Sequence, residues 1–222
     1  MKTSRSGSGR TSSTLIKCLV SAVALGSINS AEAQKLWSED FEGLALGPSL
    51  EEGLAGDKVW TNVPPDGWLW DNSKVPGVGT ALDGITEWAG WGFANKDWWV
   101  TTAGNQRRVE WTFGQGTVMI ADPDEWDDAG HVQGLYAVDV TTAAINLAGA
   151  TANSLVLAFD SSWRPEARDD GEPSFPVGPG GERINNQTGT IALSYNDGPL
   201  NEVLRWDSVP DSGFYNGASI EF

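Results

Sequence analysis

The chain has 222 residues, 40% of them hydrophobic and 20% charged, with 30 acidic against 14 basic side chains and a net charge of −16. Such a surface repels nucleic-acid backbones and anionic lipid, which makes both poor candidates as partners, and suits divalent cations, neutral polymers or a medium of high ionic strength. A single cysteine (Cys18) and a single histidine (His131) exclude disulfide staples, thiolate metal sites and multi-histidine metal centres.

Residues 1–33 predict a secretory signal peptide. Lys2, Arg5 and Arg10 form a basic start, residues 15–25 form a short apolar stretch, and Ala31-Glu32-Ala33 supplies the small residues that a signal peptidase reads. The apolar stretch falls short of the roughly 20 residues a membrane span needs, and Lys17 interrupts it. Cys18 lies inside that stretch and not at the cleavage point, which argues against a lipoprotein. Cleavage between Ala33 and Gln34 predicts a secreted, periplasmic or cell-surface protein. It would remove four basic residues (Lys2, Arg5, Arg10, Lys17) and one acid (Glu32), taking the net charge from −16 to −19. The remaining 34–222, long enough to bury a core without disulfides, is expected to form a single domain.

Along that domain no long amphipathic helical pattern occurs. Short β-like runs separated by Gly, Pro, Asn and Asp predict strands at 36–41, 68–70, 98–101, 108–113, 117–121, 138–142, 154–161, 190–195 and 201–207, with a helical turn or loop over 85–93. Leu155, Leu157 and Phe159 alternate onto one face, as do Ile191, Leu193 and Tyr195. Asn196-Asp197-Gly198-Pro199 predicts a hairpin with Asp-Gly at its corner. Residues 164–188, rich in Pro, Gly and charge, predict a long rim loop. The expected fold is all-β, a two-sheet antiparallel sandwich of jelly-roll, concanavalin-like kind. Residues 217–222 look like the opening of another strand, so the sandwich is expected to be C-terminally incomplete, with further domains missing.

All twelve tryptophans follow the signal, eight of them between Trp60 and Trp111. That is more indole than one core needs, so most are expected in the core and some at the surface. Trp88 and Trp91 in a Gly-rich stretch, the pair Trp98-Trp99, and Trp126 and Trp163 in polar loops are the candidates for an aromatic platform stacking on sugar rings. The acidic run Asp122, Asp124, Glu125, Asp127 and Asp128 concentrates carboxylates as a calcium site does, though without EF-hand spacing. Glu39, Asp40 and Glu42 form a second acidic element, and the mixed charges of 164–172 a third, able to satisfy one another.

Catalytic signals are thin. No Gly-x-Ser-x-Gly elbow presents a serine to His131, and nothing in the order marks two carboxylates as a glycosidase pair. A self-contained enzyme is not expected.

Glu39-Asp40-Phe41-Glu42-Gly43-Leu44 resembles the opening of jelly-roll modules in carbohydrate-binding and MAM-like families. That resemblance implies a structural calcium to which Glu39, Asp40 and Glu42 would contribute, completed by an Asp near the C-terminus. Over 36–210 the runs DFEGLALGP, EEGLAGDKVW, EWAGWGFANKDWW, GTVMIADPDEWDD, FDSSWRPE and EVLRWDS are similar to an accessory module of large secreted bacterial proteins, which in some precedes a metallophosphoesterase-like domain. The expected function is a non-catalytic module binding polysaccharide or glycan, with structural calcium. The alternative is an accessory N-terminal domain of a larger hydrolase with no ligand of its own.

Overall fold

The computed structural model describes residues 35–151, 154–164 and 187–207. The chain divides into two units, Met1–Lys35 and Leu36–Phe222, and every strand and helix described lies in the second. The signal peptide, most of the 164–188 loop and the C-terminal run 217–222 lie outside the described residues.

Strands outweigh helix, and every pairing is antiparallel. The central sheet has the order β1 (Trp60–Thr61), β3 (Gly92–Asn95), β4 (Thr117–Ile120), with Trp60 opposite Ala94 and Phe93 opposite Met119. Small residues on β3 make room for a large neighbour: a Cβ on Gly92 would sit 2.9 Å from the indole nitrogen of Trp60. That nitrogen donates to the Glu87 carbonyl at 2.9 Å. A second sheet pairs β2 (Leu69–Asp71) with β5 (Asp139–Thr141), and a third pairs β6 (Thr188–Leu193) with β7 (Asn201–Asp207). The sheets are small, of three, two and two strands.

The β6–β7 hairpin forms where expected, but its corner is one residue earlier. Asn196 and Asp197 take φ of 50° and 56°, and Gly198 N–H bonds back to Tyr195 at 3.0 Å. Two left-handed central residues make a type I′ turn, which matches strand twist and favours Asn and Asp after Gly.

Four expected strands are absent. Residues 98–101 belong to helix α1 (Lys96–Thr102), because the Asn95 side chain accepts from Trp98 N–H at 3.0 Å and Asp97 lies in the first turn, both helix-starting features. Residues 36–41 pair with no described strand and lead into a turn at Glu42-Gly43: Glu39 Oε1 accepts from the N–H groups of Asp40 and Phe41, so local carboxylates take the donors a ladder would use. Arg108–Glu110 is a 3₁₀ turn. Residues 154–161 pair with no described strand, and Val156 is 84% exposed.

The core is built on indoles. Trp60, Trp88, Trp98, Trp111 and Trp126 are buried around Val75, Ala94, Val118 and Ile120. Each buried indole removes on the order of 4–6 kcal/mol worth of apolar surface from water. Four of the five also find a partner for the ring N–H: the Glu87 carbonyl for Trp60, Glu52 Oε2 for Trp88, the Leu54 carbonyl for Trp98 and the Asp83 carbonyl for Trp126.

Three glutamates lock two distant segments together. The carboxylate of Glu87, 1% exposed, accepts from the backbone N–H groups of Leu50, Glu51 and Glu52. Glu51 in return accepts from the N–H and hydroxyl of Thr86, at 2.9 and 2.5 Å, and Glu52 accepts from the Trp88 indole. This exchange pins residues 50–52 onto the 3₁₀ turn Thr86–Trp88.

Candidate functional site

The expected calcium ligands do not converge. Glu39 binds its own backbone, and Glu42 Oε1 accepts from Thr117 N–H at 2.8 Å, at the head of β4. Asp127 and Asp128 are exposed. Asp122 caps the short helix α2 (Pro123–Trp126), receives the Trp99 indole N–H at 2.8 Å and pairs with Arg108 at 3.0 Å. The same guanidinium nitrogen reaches Glu125 at 2.8 Å and Asp124 at 3.4 Å. Within the acidic run, Asp122, Asp124 and Glu125 thus share the protein's own arginine as their counter-charge. Among the described residues no group of three or more His, Cys, Asp or Glu side chains is arranged to hold a metal ion.

Arg108 is turned inward by an unusual reversal. After α1 the residues Asn105, Gln106 and Arg107 all take positive φ (68°, 31°, 68°), a region costly for side chains other than glycine. The guanidinium also donates to the Ala103 carbonyl at 2.8 Å and lies 5.4 Å from the Trp99 ring centre. One arginine serving three carboxylates leaves a local excess of negative charge. Burial, opposed by Arg108, raises the carboxyl of Asp122 above its ordinary range and that of Glu125 to about 7. Glu125 thus holds its proton more tightly folded than unfolded. Its stabilising contribution is full below 4.5 and is lost as the pH rises through about 7. The melting temperature is expected to fall between pH 5 and pH 8, by roughly 2–4 °C for each kcal/mol of linkage. Glu125→Gln should flatten that fall, which thermal unfolding followed by circular dichroism checks.

The platform tryptophans scatter in the same way. Trp88, Trp98 and Trp126 are core residues whose indole N–H groups point to internal acceptors, so their faces cannot meet a ligand. Trp99 is half-buried over Arg108. Trp163 stacks on Trp206 of β7, ring centres 6.0 Å apart. Trp91 lines a pocket.

That pocket has a volume of about 180 Å³. Trp70 reaches it from β2, Asn72 from the residue beyond that strand, and Asn62 from the residue after β1. Asp83, Thr86 and Trp91 line it from the segment around the 3₁₀ turn. Its walls are held tightly. Asn72 Nδ2 donates to the Ala89 carbonyl at 2.7 Å. Gly90, at φ 123°, brings the backbone so close that a Cβ there would lie 2.6 Å from that of Asn72 and 3.3 Å from the Trp70 ring. The Tyr136 hydroxyl donates to the Trp88 carbonyl at 2.5 Å and accepts from Gly90 N–H at 3.0 Å, and its burial keeps the phenol protonated. Thr86 is fixed by Glu51. The Trp91 indole N–H is buried without a partner.

The arrangement places two half-buried indoles beside residues that carry amide, hydroxyl and carboxylate groups. Trp70 escaped the sequence-level choice of platform residues. Its place in an expected strand, two residues before Asn72, was the available signal.

No protein-family model, curated protein or solved structure matches the chain. Among the described residues no helix is long and apolar enough to cross a membrane.

Proposed function

We propose that this chain is a secreted, non-catalytic binding module for polysaccharide or glycan, whose sugar site is the pocket between Trp70 and Trp91. The observation that carries this reading is the pairing of the two indoles with Asn62, Asn72, Asp83 and Thr86 around one cavity. An indole face covers the apolar face of a sugar ring, while amides, carboxylates and hydroxyls bond to its hydroxyl groups. A preformed frame also limits the entropy lost on binding. Export follows from the signal-like residues 1–33, with cleavage at Ala33–Gln34.

Titration with a panel of soluble glycans, followed by tryptophan fluorescence and melting temperature, tests the proposal. Trp91→Ala is expected to weaken binding by roughly tenfold or more. Trp163→Ala, remote in chain and not lining the pocket, should leave it unchanged. The alternative, an accessory domain of a larger secreted hydrolase with no ligand of its own, draws support from the five indoles committed to the core. It would prevail if no glycan shifted either signal.

A further inference from the structure

We infer that the pocket takes a single neutral or amino-bearing pyranose ring and rejects uronic and sulfated sugars, a refinement that rests on the glycan reading above. Size is the first constraint. About 180 Å³ is the room of roughly six waters at about 30 Å³ each, and lies below the 300–1,000 Å³ typical of drug-sized ligand sites. One ring fills it, and further rings of a chain would lie outside.

The hydrogen-bonding inventory sets the chemistry. Asp83 lines the pocket with a carboxylate that has no hydrogen bond or ion pair among the described residues, and a carboxylate only accepts. Asn72 gives one amide N–H to the Ala89 carbonyl, which leaves its second N–H and its oxygen. Thr86 donates its hydroxyl proton to Glu51 and can therefore offer only a lone pair. Neutral donors accompany these acceptors, the Asn62 amide, the second N–H of Asn72 and the Trp70 indole N–H, but none carries positive charge. A ligand must bring donors for the Asp83 carboxylate, as hydroxyl and ammonium groups do. Carboxylates and sulfates bring none.

Charge acts in the same direction. No basic residue lines the pocket, and the cations nearest in role are engaged elsewhere: Arg108 on Asp122, Asp124 and Glu125, and Lys96 on the carbonyls of Trp111 and Gly114. An anionic sugar would face an unpaired Asp83 in a chain of net charge −16. At separations of a few ångströms near a protein surface, that repulsion weakens binding by roughly a hundredfold.

Isothermal titration of the full chain with methyl glucoside, methyl mannoside, methyl glucosaminide and methyl glucuronide tests the inference, alongside a neutral oligosaccharide series of increasing length. A neutral or amino glycoside should bind, with the glucuronide roughly a hundredfold weaker. Asp83→Asn should narrow that gap while keeping the wild-type melting temperature, since the carboxylate makes no bond among the described residues. Affinity should level off after the first ring. Equal binding of glucoside and glucuronide, or affinity rising steadily with length, would overturn the inference and leave the glycan reading standing. Silence from every saccharide, charged and neutral, would overturn both.

Discussion

Arg108→Met is expected to cost about 3–5 kcal/mol of folding free energy. The arginine is 8% exposed and is the counter-charge for Asp122 and Glu125, themselves 6% and 5% exposed. Methionine fills much of the same volume, so the loss would come from stranding two buried carboxylates, not from a cavity. With total stabilities of about 5–15 kcal/mol for a domain, a deficit of this size leaves a marginal protein. Chemical denaturation followed by circular dichroism measures it. The deficit should be greater at pH 8 than at pH 5, because at the lower pH Glu125, with its carboxyl raised to about 7, is already protonated. A loss below about 1 kcal/mol, typical of an exposed ion pair, would mean that the cluster is solvated.

Glu87→Ala comes second, with an expected loss of about 2–4 kcal/mol, because its carboxylate is the acceptor for three backbone N–H groups, those of Leu50, Glu51 and Glu52. An unsatisfied buried donor costs about 1–3 kcal/mol, less where water can enter. Glu87→Gln keeps one carbonyl acceptor and should lose less than half as much. The same substitutions should loosen Thr86, which is held from the other side of the exchange by Glu51, and so weaken binding at the pocket. Denaturation curves read by circular dichroism measure the first effect, and titration with the best glycan measures the second.

Local chemistry was legible wherever it decided the outcome. Alternation placed β6, β7 forms over the expected 201–207, and the strands expected at 117–121 and 138–142 shrink only at their ends to Thr117–Ile120 and Asp139–Thr141. Where a strand was expected over 98–101, helix α1 forms instead, because the Asn95 cap satisfies one of the first turn's free N–H groups. What composition could not reveal were contacts between residues far apart in the chain. The Glu51–Thr86 and Glu87–Leu50 bonds each span more than thirty residues. Arg108 likewise meets Asp122 and Glu125 only after three left-handed residues reverse the chain, a conformation that Asn-Gln-Arg does not advertise. For the site, Trp91 stood out as an indole in a Gly-rich stretch, whereas Trp70 of β2 and Asn62 beyond β1 join it only through tertiary contact.

The glutamate exchange between residues 50–52 and 86–88 also shapes which variants the protein tolerates. Its donors on one side are main-chain N–H groups, present whatever side chain occupies position 50; only proline deletes one. Leu50, 61% exposed, can therefore drift freely, while the shared acceptor at position 87 has no substitute. Sequences diverging from this one should vary widely at 50 and hardly at all at 87. The acidic character of the chain also acquires a structural use there: with few lysines and arginines to spare, its innermost carboxylate is neutralised by peptide dipoles, which salt screens far less than it screens an exposed ion pair.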